Sequence, residues 1–261
     1  MANYFVFLQK EMTENLRTKK VLALACVFLF FAFSSPLLAR FMQEFMAWAM
    51  AGEAGVEVEA LLAMIPPPVW VDSYAQFYGN MSQIGAITIV LLFMSTVLRE
   101  KRSGTADLVF SKGLSAASFI LAKFTLASAL AVICLIVSVL VAYLYTYILF
   151  EYAGQMLHVL MGGLAYGLFL LMVLSVVILC SAIAKSTALS AVLGFFSFIF
   201  LLLINSIPRV GRFFPGNLAS RNLEITMGTY YGELVINIIA AIAVITLSLG
   251  LSVYIVKRQE V

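Results

Sequence analysis

Covalent chemistry needs a nucleophile beside a base, a metal-ligand cluster, or a loop that cradles phosphate. The single histidine, His158, stands at the end of an apolar run, so no His-pair metal motif is present. Cys26, Cys134 and Cys180 lie apart inside apolar runs, and we read them as small core residues rather than a disulfide or metal framework. No GxxxxGK[ST] loop occurs, so this chain should not hydrolyse ATP itself. No acid falls deep in an apolar run, as a proton-coupled pump would require. What remains is a charged interruption between apolar runs. The stretch Arg99 to Lys123 carries Arg99, Lys101, Arg102, Lys112 and Lys123 against Glu100 and Asp107, with Gly104 and Gly113 as breaks. Its chemistry is that of contact and force, not bond making.

The elements around that stretch follow from composition. At 63% hydrophobic and 11% charged, the chain has too few charged residues for a water-soluble surface, which takes about a quarter. It reads as an integral membrane protein, and its net charge of +3 marks topology rather than a nucleic-acid patch. The twelve methionines are scattered through apolar runs, as adaptable core residues are.

Residues 3–20 are too polar to cross a bilayer. Phe5, Leu8, Met12 and Leu16 recur on one helical face, with Lys10, Glu14, Arg17 and Lys20 elsewhere. This fits an amphipathic interfacial helix, and equally an ordinary lead-in to the first span. The length of polar and mixed sequence ahead of the first apolar run argues against a cleaved signal peptide. Spans are expected at about 21–39, 81–98, 119–150, 158–184, 188–207 and 233–256, near the ~20 residues a hydrocarbon core demands. The third is longer than needed and should tilt or protrude. Pro36 should kink the first span near its end. Between the first two spans, Phe41, Phe45, Met46 and Trp48 suggest a surface helix, Pro66 to Pro68 end any helix, and Trp70, Tyr74, Phe77 and Tyr78 read as an aromatic belt. The fold class expected is an all-α polytopic membrane protein. It is a single domain over 1–261, with six transmembrane helices and an N-terminal interfacial helix.

Basic residues set the orientation. With the N-terminus inside, the inner side holds Lys10, Arg17, Lys19, Lys20, Arg99, Lys101, Arg102, Lys112, Lys123, Lys185, Lys257 and Arg258, twelve of the sixteen. Arg40, Arg209, Arg212 and Arg221 remain outside. Both termini and the 99–118 loop are therefore expected in the cytoplasm, in a chain integral to the cell membrane.

The order of a span, then REKRSGTADLVFSKGLSAASFILAKF, then another span resembles the cytoplasmic segment of ABC-2-type exporter permeases. That segment typically reads E-x-x-x-G-T-x-[DE]-x-[LVM], then a short polar stretch and a lysine opening the next span. Glu100, Gly104, Thr105, Asp107, Val109, Ser111 and Lys123 match it, while Gly113 stands where a proline is usual. The surface helix, six spans and broken region between the last two extend the likeness over nearly the whole chain. The resemblance implies a permease working as a homodimer or pseudodimer with two ABC ATPase subunits, which hold the ATP and Mg that this chain does not. Membrane lipids are the other partner, and nucleic acid is not one. It implies that the ATPase-coupling residues are Arg99, Glu100, Lys101, Arg102, Gly104, Thr105 and Asp107, on a short coupling helix. The physics of the loop agrees: two glycines can bound a helix, Thr105 can cap it, and Asp107 suits its N-terminus. A positively charged anchor on anionic headgroups is the plainer alternative, and the G-T-x-D order favours coupling.

Two further groups are candidates. Asn80, Ser82, Gln83, Ser190, Ser197 and Asn205 could line a conduit between protomers or hydrogen-bond neighbouring helices. In the irregular 208–232 segment and its edge, Arg209, Arg212, Arg221, Glu224 and Glu233 could pair as an extracellular gate, a region the resemblance supplies, or snorkel to headgroups. Gly163 with Gly167, and Gly228 with Gly232, have the spacing of close helix packing. The reading that results is the transmembrane subunit of an ATP-driven exporter with a hydrophobic or amphipathic cargo. An ion-coupled transporter or channel, and a non-transporting membrane assembly protein, are the alternatives.

Overall fold

The structure is a computed structural model, and it describes residues 2–50, 66–205, 207, 211, 213–230 and 232–259. Its helices are α1 (Ala2–Arg17), α2 (Lys20–Arg40), α3 (Met42–Met50), α4 (Trp70–Asn80), α5 (Ala86–Phe93), α6 (Thr96–Arg102), α7 (Thr105–Ser111), α8 (Ala116–Phe150), α9 (Met156–Ile183), α10 (Thr187–Asn205), α11 (Asn217–Ser220), α12 (Asn222–Thr226) and α13 (Leu234–Gln259). A π-helical turn, Met81–Gly85, joins α4 to α5. No strand occurs among the described residues. Six helical stretches there are long and apolar enough to cross a membrane: α2, the run Trp70–Arg102, α8, α9, α10 and α13.

α9 is the most buried of the six and forms the axis of the bundle. Small residues let its neighbours close in. A side chain at Gly163 would stand 3.0 Å from Val139, and one at Gly167 3.2 Å from Leu135, both on α8. At Gly162 it would come within 2.1 Å of the Thr226 hydroxyl, so α12 lies directly on the α9 backbone. Gly228 does not pair with Gly232 as a packing stripe. It takes φ +73° at a turn beside the His158 ring, while Gly232 faces open space. α8 begins at Ser115, whose hydroxyl accepts from the Ser118 amide at 3.1 Å, and at 35 residues it is about 52 Å long.

The second span starts earlier than its apolar pattern suggests. The helical run begins at Trp70, and Tyr74, Phe77 and Tyr78 are buried core residues, not members of an exposed aromatic belt. Tyr74 donates to the Ala153 carbonyl at 2.9 Å, which satisfies its hydroxyl without interfacial water. The same run is broken again at Met94–Ser95, between α5 and α6.

Candidate functional site

Three faces of α1 explain how the charged loop is held. Phe7, Glu11 and Asn15, one turn apart, are buried against the bundle. Phe5, Met12 and Leu16 point outward with Leu8 half-buried beside them, so the apolar stripe read from the sequence faces away from the protein, where lipid would lie. Lys10 and Glu14 occupy the edge between the two.

On the buried edge, charge from three elements converges. Lys123 of α8, with a side chain 1% exposed, donates to Glu11 of α1 at 2.8 Å and to Glu100 of α6 at 2.9 Å. Lys10 reaches Glu11 and Glu14 at 3.1 Å each and also bonds Glu100, while Arg99 pairs with Glu14. The Lys123 ammonium lies 4.9 Å from the Phe119 ring centre and 5.6 Å from that of Phe7, so aromatic faces complete its shell. Three cations pair with three carboxylates, with Lys20 beside them, at a depth where an unpaired charge would be costly. Burial alone would lower the Lys10 pKa. Its bond to Glu100 and the nearby Glu11 and Glu14 carboxylates outweigh that and hold it above the ordinary lysine range. Glu11, Glu14 and Glu100 bring oxygens within 4.8 Å of one another, a spacing that suits a hard cation. The Lys10 and Lys123 ammoniums already donate to those oxygens, so the protein supplies its own cations.

Directly beyond this cluster stands α7. Gly104 precedes it at φ +69°, a conformation that costs other residues strain. Thr105 is the first helical residue and does not cap the helix; its hydroxyl lies 2.6 Å from that of Ser103. Asp107 is in the first turn, exposed, beside exposed Leu108. Ala106 is buried, and Phe110 packs edge-on to Phe119, 5.3 Å between ring centres. At its far end the Gly113 amide donates to Phe110 at 2.8 Å and the Leu114 amide to Val109 at 3.3 Å, the pair of bonds that defines a Schellman cap. Gly113 supplies the required left-handed residue at φ +83°. Proline, with φ fixed near −65° and no N–H, could not close this cap.

The seven coupling candidates are thus adjacent but not alike. Arg102 and Asp107 are exposed, Glu100 is buried in the ion cluster, Arg99 pairs with Glu14, and Lys101 turns inward to donate to the Ala182 carbonyl at 2.8 Å. Of the six conduit candidates, four bond other segments of the same chain. Asn80 donates to Ser35 at 3.2 Å, Ser190 to the Met94 carbonyl, and Asn205 to Ser220 at 3.0 Å; Ser197 contacts the Cys180 sulfur at 3.5 Å. Ser82 is half-buried and Gln83 exposed. Among the gate candidates, Arg221 pairs with Glu224 at 3.3 Å and lies 5.2 Å from the Tyr230 ring centre, and Glu233 is half-buried at the foot of α13. Arg209 and Arg212 lie outside the described residues.

Comparison with known proteins bears on this arrangement. Residues 65–254, well over half the chain, match the family described as ABC-2 family transporter protein. The chain belongs to that family. It is also similar to the uncharacterized transmembrane protein YxlG of Bacillus subtilis (strain 168), 24% identical over 194 residues that cover 74% of this chain and 73% of that one. As an ABC-2 family member it is an integral membrane protein and a transmembrane, non-catalytic component of an ABC transporter, a class that works with an ABC ATPase. Glu100 and Lys123 fall inside the matched region, whereas α1 precedes it.

Pattern reading missed Glu11, because a lone acid on a mixed-polarity helix looks solvated. A signal was present all the same. Lys123 sits two turns inside an apolar run, and a lysine there demands a carboxylate from some other segment.

Proposed function

We propose that this chain is the permease of an exporter. Two copies assemble as a homodimer with two separate ATPase subunits, which bind ATP and Mg and dock on α7 from the cytoplasm. In this reading both termini are cytoplasmic, and the cargo is hydrophobic or amphipathic and moves outward. The observation that carries it is the Glu11–Lys123–Glu100 bridge. α7, with Asp107 and Leu108 exposed, follows directly on α6, and α6 is tied through Glu100 and Lys123 to the interfacial helix and to a 35-residue span. A flexible topogenic anchor needs no such backing, whereas an element that receives displacement does. Arg221 with Glu224, together with Glu233, forms the outer gate, to which the resemblance also assigns Arg209 and Arg212, and Gln83 and Ser82 border the conduit at the dimer seam.

The test is co-purification of the chain with an ATPase subunit and measurement of ATP hydrolysis in lipid. Asp107→Lys with Leu108→Glu is expected to abolish ATPase capture while leaving the melting temperature of the permease nearly unchanged, since both side chains are exposed. Gradient-driven flux catalysed by the purified chain alone would overturn the proposal in favour of a secondary transporter.

A further inference from the structure

The break between α5 and α6 is held by partners from other helices. A helix N-terminus leaves its first amides without intrahelical acceptors. Here the Val97 and Leu98 amides both donate to the hydroxyl of Ser181 on α9, at 3.1 Å each. The first bond within α6 is Arg99 to the Ser95 carbonyl, at 2.9 Å. The Met94 carbonyl accepts from Ser190 of α10. In return, Lys101 of α6 donates to the Ala182 carbonyl, one of the last of α9, at 2.8 Å. Ser181 and Ser190 are both fully buried. α6 and the α9–α10 corner therefore cap each other, while α5 is fixed in the core by Ile89, Val90 and Phe93.

We propose that residues 93–98 are a two-state joint. In the state seen here the helix is broken and capped by Ser181. In the other state α5 and α6 form one continuous helix. The Val97 amide then bonds the Phe93 carbonyl and the Leu98 amide bonds the Met94 carbonyl. Ser181 and Ser190 turn to carbonyls one turn back in their own helices, as Ser138 and Ser252 do at 2.8 and 2.7 Å. Each amide exchanges one partner for one, so the backbone at the joint loses no hydrogen bond on closing, and the side-chain bonds of Glu100 and Lys101 weight the balance toward the broken state. Two packings of this kind are the discrete alternatives through which a small displacement becomes a large one. Only Ser103 and Gly104 separate α6 from α7, so movement of α7 acts on the joint directly. The inference rests on the coupling role of α7 only for what drives the joint, and its existence is tested without the ATPase.

The full chain, its three natural cysteines replaced by alanine, is placed in lipid nanodiscs with spin labels at Ile84→Cys and Leu108→Cys, both exposed positions on either side of the joint. Ser181→Ala is expected to add a second population to the label-to-label distance distribution. Ser190→Ala, which frees the Met94 carbonyl, should do the same and carries the test if the first variant does not fold. Amide hydrogen exchange gives a second readout. If the joint closes, Val97 and Leu98 stay protected in Ser181→Ala; if the break is static, their exchange rises about tenfold with the lost bond. A single unchanged distance in the folded variant, or that rise in exchange, overturns the proposal.

Discussion

Lys123 shows how a membrane protein keeps an ammonium group at depth: two carboxylates from two other helices and two aromatic faces enclose it. Removing one partner of a buried ion pair typically costs about 3–5 kcal/mol, because the charge left behind has no water to turn to. Lys123→Ala should therefore lower the melting temperature sharply and release α1, read as faster hydrogen exchange over residues 2–17. Lys123→Met combined with Glu100→Gln removes one charge of each sign and leaves Lys10 and Arg99 facing Glu11 and Glu14. That pair is expected to recover most of the loss. By contrast Arg221→Ala breaks a half-exposed pair and should change stability by less than about 1 kcal/mol. Equal losses from Lys123→Ala and Arg221→Ala would show that the cluster does not anchor α1.

At the level of elements, glycines decide where helices stop and how close they approach. Gly104 takes φ +69° with open space around its missing side chain, so Gly104→Ala probes backbone strain alone, about 1–2 kcal/mol, and should fall on α7 rather than on the bundle. Gly162 is the opposite case, with ordinary helical backbone but the Thr226 hydroxyl 2.1 Å from where a Cβ would sit. Gly162→Ala should lift α12 off α9 at a cost of about 1–3 kcal/mol, and Thr226→Ala in the same chain should recover a measurable part of it in thermal melts. Recovery absent from that double-mutant cycle would mean that α12 is positioned by something other than this contact. These examples also mark what could be read beforehand. Apolar run length announced the spans, and glycine with a G-T-x-D order announced a short helix after the second span. Residue type could not show that Gly113 closes a Schellman cap, nor that Tyr74, Phe77 and Tyr78 turn inward. Both depend on which helix packs next to them, and in a membrane an aromatic residue suits core and interface alike. Glu11 was illegible for the same reason, since the buried lysine it pairs with lies 112 positions away in the chain.

For the molecule as a whole, the helices place charge unevenly. The end of the bundle that carries α1, α6, α7 and the last turn of α13 holds Lys10, Arg17, Lys19, Arg99, Lys101, Arg102, Lys112, Lys257 and Arg258, and Arg221 belongs to the α11–α12 region at the far side of α9. Basic loops resist translocation, which predicts that the first of these ends faces the cytoplasm. If the six apolar helices of the described residues each cross once, both ends of α2–α13 lie on one side, and one label near each end of the bundle is sufficient to decide. With the natural cysteines replaced by alanine, Lys257→Cys and Phe213→Cys are exposed positions on α13 and on the segment before α11. In intact cells a membrane-impermeant maleimide should label Phe213→Cys and spare Lys257→Cys until the membrane is opened. The reverse pattern would place α7 outside the cell, where no ATP-driven subunit could reach it, and the exporter reading would fall with the orientation.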